Sequence, residues 1–228
     1  IPWWLSAPAL VLFTALLLVP LVLTAVLSFN AFDPATGVKA SEYTLEHYAT
    51  VFTDARGMMA NTLLYCLLAA GLDVVIGTAI AYLILRTNLP GRRWLDYMAS
   101  AALAIPGLVL AIGYLRLFKG VNLPFTDTPV VSTWVLIMLA YAVRRLPYAL
   151  RSCMAALQQV HVSLEEAAQS LGATRMSTIR RVMVPLMMGG MLAGFVTSFI
   201  TAAVELSATI LLASAQSQAP MSYGIYLY

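Results

Sequence analysis

The stretch VMVPLMMGGMLAGFVTSFITAAV, residues 182–204, contains no Asp, Glu, Lys or Arg. About 20 helical residues cross the hydrocarbon core of a bilayer, so this run is long enough to span a membrane. Outward from it, further charge-free runs occur at 1–32, 57–72, 74–85, 97–115, 128–143 and 206–228. Of the 228 residues 61% are hydrophobic and 10% are charged, whereas about a quarter are charged in soluble domains. This composition excludes a soluble enzyme, a nucleic-acid-binding domain and a disulfide-stabilised secreted module.

We predict an all-α membrane protein, a single transmembrane domain over residues 1–228 with about six membrane-spanning helices, the last of them truncated. The predicted spans cover about residues 3–29, 58–85, 97–115, 131–150, 184–213 and 221–228. The segment after the first span is expected to be a water-facing loop that contains a short amphipathic helix from Thr44 to Phe52. No basic segment precedes the first apolar run, which favours a retained span over a signal peptide. We expect the chain to be a piece of a longer polypeptide, because both of its ends lie in apolar runs.

Basic residues are distributed unevenly between the predicted loops. Three lie in 86–96 and six in 144–181, nine of the 13 in the chain. The four on the opposite side are Lys39, Arg56, Arg116 and Lys119. Because loops rich in Lys and Arg stay in the cytoplasm, the first span is predicted to begin there. The stretch 144–181 then reads as a cytoplasmic loop, with Arg144 and Arg145 as anchors at the inner face.

A short helix with defined ends is predicted inside this loop by SLEEAAQSLG, residues 163–172. Ser163 followed by Glu166 fits a capping box, and Gly172 suits the left-handed residue that ends a helix. A helix of about two turns is too short to be stable alone, so we expect it to lie against another surface.

The spacing of Glu166-Ala167-Ala168, Gly172 and Val182-Met183-Val184-Pro185 resembles the E-A-A loop of binding-protein-dependent ABC importer permeases. The family pattern ends in Ile-x-Leu-Pro, from which this chain departs conservatively with valine at both apolar positions. The resemblance covers roughly residues 50–228. It implies a coupling helix at 163–172, within the loop 144–183, that sits in a groove of a cytoplasmic ATPase dimer.

The residues that the resemblance assigns to the ATPase contact are Glu165, Glu166, Ala167, Ala168, Gly172 and Arg175. The permease itself would not be an enzyme and would bind no cofactor. ATP and Mg would be bound by the partner, and the sequence has no G-x-x-x-x-G-K-[ST] phosphate loop. The other implied partners are a periplasmic or lipid-anchored substrate-binding protein, a second permease chain or fused half, and membrane lipids, with no nucleic acid. The implied location is the plasma membrane of a prokaryote, the inner membrane if it is Gram-negative.

Two flanking segments resemble the importer subgroup that transports ferric iron. They are Ala155-Ala156-Leu157-Gln158-Gln159 and Glu205-Leu206-Ser207-Ala208-Thr209. Permeases for 2-aminoethylphosphonate and polyamines are near relatives in the same subgroup. Ferric iron is therefore the predicted substrate, with these two as alternatives.

Asp73 and Glu205 are the acids within predicted spans, where an ionised group is costly unless it faces protein or water. Glu205 is interpreted as a pathway residue near the outer end of its span that attracts a cationic ligand, or alternatively as a buried structural hydrogen bond. The other pathway candidates are Thr201, Ser207 and Thr209. For Asp73 a structural bond between helices is favoured. No metal site is predicted, because the two histidines and two cysteines are isolated.

Small residues recur at helical spacing at Gly77 and Ala81 and at Gly190 and Gly194. This spacing lets membrane helices approach closely, and it predicts helix packing at both pairs.

Two other classes of membrane protein are kept as alternatives. An intramembrane enzyme would need a nucleophile and a base on facing spans, and neither histidine lies in a predicted span. An ion-driven secondary transporter would show paired broken helices in inverted halves, and no such repeat is visible. Only the importer permease should co-purify with an ATPase.

Overall fold

The N-terminal unit of the chain, Ile1–Arg56, contains the first predicted span and the segment after it. The computed structural model describes residues 3–33 and 37–227. Helix α1, Trp3–Leu27, has no charged residue and continues through Pro8 and Pro20. Its side chains from position 8 to 27 are exposed and mostly apolar, as expected of a helix surrounded by lipid.

A β-hairpin follows α1 where the sequence predicted only a loop. Strand β1, Asn30–Asp33, pairs antiparallel with β2, Gly37–Tyr43, and helix α2 follows at Glu46–Asp54. The all-α prediction is wrong at these two strands. Their sequences, Asn-Ala-Phe-Asp and Gly-Val-Lys-Ala-Ser-Glu-Tyr, contain a single β-branched residue, so local preference does not announce a strand.

The second unit, Gly57–Tyr228, is helical throughout its regular elements. Its helices are α3 Arg56–Arg86, α4 Arg92–Ala104, α5 Gly107–Leu117, α6 Trp134–Gln159, α7 Val162–Ser170, α8 Arg175–Thr178, α9 Val184–Ala203, α10 Thr209–Leu212 and α11 Met221–Leu227. A π-helix, Ile179–Met183, connects α8 to α9, and 3-10 turns lie at Val130–Ser132 and Gln216–Gln218.

Three helical stretches within residues 3–33 and 37–227 are long and apolar enough to cross a membrane. They are Ala7–Leu27, Arg56–Arg86 and Arg175–Ala203, and the bent pair α4–α5 makes a fourth candidate. The predicted multi-pass helical architecture is confirmed, whereas the number of six spans is not. Helix α6 continues through three arginines into the stretch that was predicted to be a loop from residue 144.

Two predicted spans are broken in the structure. The third is divided at Ile105-Pro106, where the axes of α4 and α5 differ by 109°. Proline disfavours helical geometry at the residue before it, and Ile105 is extended, with φ −85° and ψ 123°. The fifth ends at Ala203 and resumes at Thr209 as the short helix α10. Both breaks release backbone groups from regular hydrogen bonding within the helix, which in a membrane is tolerated only where protein or water can satisfy them.

Helices α6 and α9 pack closely and antiparallel through the predicted small residues. An added Cβ at Gly190 would meet Ala156 and, at 3.1 Å, the Ser152 carbonyl, and one at Gly194 would lie 3.1 Å from the Ala149 Cα. At Gly77 of α3 an added Cβ would lie 3.0 Å from the Leu150 amide nitrogen of α6. The predicted packing role of these glycines is therefore confirmed.

Candidate functional site

The predicted coupling helix is α7, Val162–Ser170, within two residues of the predicted bounds. Its N-cap is His161, whose Nδ1 accepts a hydrogen bond from the Ser163 amide at 3.2 Å. The Ser163 hydroxyl contacts the same ring nitrogen at 2.7 Å. The predicted capping box between Ser163 and Glu166 is therefore wrong, because the helix begins earlier and Ser163 lies inside it.

The end of α7 has the geometry predicted for Gly172, which adopts a left-handed φ of 88°. The Gly172 amide donates to the Gln169 carbonyl at 2.9 Å, and the Ala173 amide donates to the Ala168 carbonyl at 3.1 Å. These are the two bonds of a Schellman motif. An added Cβ at Gly172 would meet no atom within 4 Å, so glycine is required here for backbone conformation alone.

The adjacent acids Glu165 and Glu166 lie in opposite environments. Glu166 is exposed, whereas Glu165 is buried and its Oε1 accepts a hydrogen bond from Arg86 Nε at 2.5 Å. Arg86 Nη2 also donates to the carbonyls of Leu157, at 3.1 Å, and Val160, at 2.5 Å. Arg86 is the last residue of α3, so this group, the Arg86 clamp, joins the end of α3 to the end of α6 and to α7.

From the sequence, Arg86 counts only as one of the three basic residues in the predicted loop 86–96. The spacing of 79 residues between Arg86 and Glu165 leaves no local pattern that would pair them. The sequence feature that could have indicated this contact is the pair of adjacent acids. On a short helix, only one of two adjacent side chains can point towards the rest of the protein.

The coupling segment, by which we mean α7, α8 and the turn between them, has an exposed outer surface. Beside Gly172 lies a shallow groove of about 570 Å³. Leu171, at its edge, is 90% exposed. The exposed residues of this surface are Glu166, Ala167, Leu171, Arg175 and Met176, with Ala168 half-buried.

Glu205 lies in the break between α9 and α10 and is 4% exposed. Its Oε1 accepts a hydrogen bond from Arg144 Nη1 at 2.9 Å, and its Oε2 accepts one from Arg145 Nη2. Both arginines belong to α6. The interpretation of Arg144 and Arg145 as inner-face anchors is wrong, because their guanidinium groups turn inward to the Glu205 carboxylate. We call these three residues the arginine–glutamate cluster.

The backbone of the break is satisfied by neighbouring hydroxyl groups. The Glu205 carbonyl accepts hydrogen bonds from Thr209 Oγ1 at 2.6 Å, Ser222 Oγ at 2.9 Å and Tyr141 OH at 3.4 Å. The structure thus brings Glu205 and Thr209 together, with Ser207 exposed on the same break. Thr201 is separate, because its hydroxyl donates to the Thr197 carbonyl of its own helix at 2.8 Å.

The two broken spans meet at the arginine–glutamate cluster. At Gly107, the first residue of α5, an added Cβ would collide with Arg144 Nη1 and lie 2.7 Å from Ser207 Cβ. Glycine is therefore needed at this position for the close approach of the arginine to the backbone. No sequence signal joined the two breaks, because residues 107, 144 and 205 are far apart in the chain.

Asp73 forms the bond between helices that the sequence favoured. It is buried in α3, and its Oδ2 accepts a hydrogen bond from Ser198 Oγ of α9. The described residues contain no group of three or more His, Cys, Asp or Glu that could hold a metal ion.

Two solved structures of ABC transporters have a fold similar to that of this chain. The chain resembles the permease of a methionine ABC transporter, MetNI, with a TM-score of 0.59, 19% identity and coverage of 79% of this chain and 82% of that one. It also resembles a bacterial ABC transporter for the import of alginate, with a TM-score of 0.68, 17% identity and coverage of 96% and 77%. At these identities the likeness shows the fold alone.

Sequence relatives carry several substrate names. The ferric transport system permease protein FbpB of Actinobacillus pleuropneumoniae is 30% identical over 79% of this chain, which spans 26% of that protein. The sulfate transport system permease protein CysT of Salmonella typhimurium is 32% identical over 88% of the chain and 73% of its own length. A probable molybdenum permease of Haloferax volcanii is 31% identical over 67% and 57%. The chain thus spans about a quarter of the ferric permeases that it matches.

Residues 73–227 match the family described as binding-protein-dependent transport system inner membrane component. The match covers both helix breaks, the arginine–glutamate cluster and the whole coupling segment. The resemblance drawn from the E-A-A spacing is therefore confirmed, and the chain belongs to this family of transporter permeases.

Proposed function

We propose that this chain is the permease subunit of an ATP-driven importer, which receives its substrate from a binding protein and binds a cytoplasmic ATPase through α7 and α8. The observation that carries this proposal is the coupling segment. A short helix with a Schellman stop presents Glu166, Leu171 and Arg175 outward while the Arg86 clamp ties its inner side to α3 and α6. A displacement of α7 is therefore transmitted to two spans. ATP and Mg bind to the partner ATPase. The permease itself lies in the plasma membrane of a prokaryote.

Replacing Gly172 with valine is expected to impair the docking of α7. A β-branched residue in the left-handed conformation costs about 1–2 kcal/mol, and the space around position 172 is open, so the backbone alone is affected. Uptake and substrate-stimulated ATP hydrolysis by the assembled complex should both fall several-fold. Asparagine, which tolerates positive φ, should restore most of both. Unchanged stimulation in the valine variant would contradict the coupling role.

The orientation of the coupling segment can be tested by labelling. A cysteine in place of Lys39 is expected to react with an impermeant thiol reagent added outside the cell, and one in place of Met176 is not. The basis is the excess of Lys and Arg in the loops assigned to the cytoplasm. The two native cysteines are buried and should give little background. Labelling at 176 and not at 39 would reverse the topology.

Two substrate classes are supported by separate observations. Ferric iron, with 2-aminoethylphosphonate and polyamines as its subgroup alternatives, is supported by the two ferric permeases. A small oxyanion is supported by the sulfate permeases, which are matched over a larger share of their length, and by the two arginines at the meeting point of the broken spans. Analysis of the ligand carried by the native binding protein would decide between these classes.

A further inference from the structure

We propose that Arg144 and Arg145 form a binding site for a small oxyanion in the translocation pathway, and that Glu205 is the resident carboxylate that holds both guanidinium groups when the site is empty. This inference rests on the proposed importer function and narrows its substrate to one chemical class. It reverses the role that sequence analysis gave to Glu205, since the charge that would attract a ligand belongs to the arginines.

The hydrogen-bonding capacity of the two arginines is mostly unused. Their side chains are 14% and 11% exposed, and each donates one hydrogen bond, to Glu205. A guanidinium group carries five N–H donors. Both Nε atoms are buried and have no acceptor within residues 3–33 and 37–227. Buried donors without acceptors are unfavourable, so a further acceptor with several oxygens would satisfy groups that the cluster leaves unpaired.

The net charge of the cluster also favours an acceptor that is negatively charged. Two guanidinium groups face one carboxylate, which leaves one positive charge in excess. Asp73 interacts electrostatically with Arg145, but its carboxylate is bonded to Ser198 and no ion pair joins it to either arginine among the described residues. Ionisable groups inside a membrane protein are expensive to keep and mark ligand pathways.

The surroundings of the cluster favour an oxyanion over a metal cation. Guanidinium groups bind sulfate-like oxygens in paired, fork-shaped hydrogen bonds, whereas a cation would be repelled by the excess charge. The N-terminus of α5, an 11-residue helix, begins at Gly107 directly against Arg144, and its free amides add positive potential there. Val204 and Ser207 are exposed on the neighbouring break, so the edge of the site lies at the surface of the chain.

Binding and the resident carboxylate compete for the same donors. An arriving oxyanion would take hydrogen bonds from Arg144 and Arg145 that Glu205 now accepts. Removing the charge of Glu205 should therefore strengthen oxyanion binding, whereas a site in which Glu205 attracts a cation would be weakened by the same change. The sign of the effect distinguishes the two interpretations.

The test is equilibrium binding of radiolabelled sulfate and molybdate to the purified permease–ATPase complex in nanodiscs, without ATP. Arg144→Gln and Arg145→Gln are expected to weaken binding at least tenfold, and Glu205→Gln to strengthen it severalfold. The matched control is Arg151→Gln, also on α6, whose partner Asp96 lies near the surface and which should stay within twofold of the wild type. Arg145→Lys, which keeps the charge but loses the fork, should bind more weakly than the wild type.

Several results would overturn the proposal. The proposal fails if the wild type binds neither sulfate nor molybdate, or if Arg144→Gln and Arg145→Gln both bind within twofold of the wild type. It also fails if Glu205→Gln binds more weakly than the wild type. If an arginine variant does not fold, the triple variant Arg144→Gln, Arg145→Gln and Glu205→Gln, which removes all three charges of the cluster together, takes its place and should still lose binding. Displacement of sulfate by phosphatidylglycerol nanodiscs, but not by phosphatidylcholine ones, would assign the arginines to a lipid headgroup and contradict a substrate site. A complex that imports ferric iron and binds no oxyanion would overturn this site and leave the importer function standing.

Discussion

Replacing Arg86 with glutamate is expected to abolish ATP-driven uptake, with a loss of at least tenfold. The substitution breaks a buried ion pair, which typically costs about 3–5 kcal/mol when one partner is removed. It also places a second carboxylate beside Glu165 and removes the guanidinium donor from the Leu157 and Val160 carbonyls. Helix α7 would then lose its side-chain bond to α3. The double variant Arg86→Glu with Glu165→Arg should recover part of the uptake, because it restores the pair but not both carbonyl bonds.

The neighbouring acid provides a control for this prediction. Glu166→Gln removes a carboxylate one position after Glu165 on α7, but the Glu166 side chain is exposed and outside the Arg86 clamp. It should leave the folded yield and thermal stability of the purified permease unchanged, whereas Arg86→Glu should lower both. Uptake should be measured at equal amounts of protein in the membrane. Uptake by Arg86→Glu within twofold of the wild type would show that the clamp does not transmit motion.

Replacing Gly190 with valine is expected to disrupt the packing of α6 on α9. The new side chain would enter space held by Ala156 and the Ser152 carbonyl, and one of these is backbone that cannot turn away. Overpacking in an ordered core costs about 1–3 kcal/mol, and a backbone contact should put this site at the upper end. The expected result is a large loss of folded permease, measured as the monodisperse fraction in detergent and its melting temperature.

The preceding glycine separates packing from helix propensity. At Gly189 an added Cβ meets no atom within 4 Å, although the residue lies in the same turn of the same helix. Gly189→Val should therefore change the melting temperature little. Equal losses in both variants would show that valine is harmful here for reasons other than contact with α6.

Local patterns predicted those parts of the fold that depend on short stretches of chain. The run 182–204 became α9, and the capped motif became α7, with its left-handed stop at Gly172. The charge-free runs 57–72 and 74–85 likewise predicted α3. In each case the deciding interactions lie within one element or one turn, where propensity, capping and apolar length act together.

The parts that were missed depend on contacts between distant residues. Glu205 meets Arg144 across 61 positions, and Arg86 meets Glu165 across 79. The charge-free run did not predict that the helix of the fifth span ends before Val204. The break is stabilised by hydroxyl groups from α6, α10 and α11, of which α6 is distant in the sequence. Pro106 lies inside the third predicted span, but the presence of a proline does not give the size of the 109° bend between α4 and α5.

The π-helix Ile179–Met183 has a consequence for the direction in which α8 faces relative to α9. Each residue of an α-helix turns the chain by about 100° and advances it by about 1.5 Å. A wide turn of this kind accommodates an additional residue with little added length. Deleting one residue here would restore an ordinary α-helical turn, so Arg175–Thr178 would keep nearly the same orientation and distance relative to α9. The wide turn therefore gives the chain one more residue between α8 and α9 without turning α8 to another side of the helix axis.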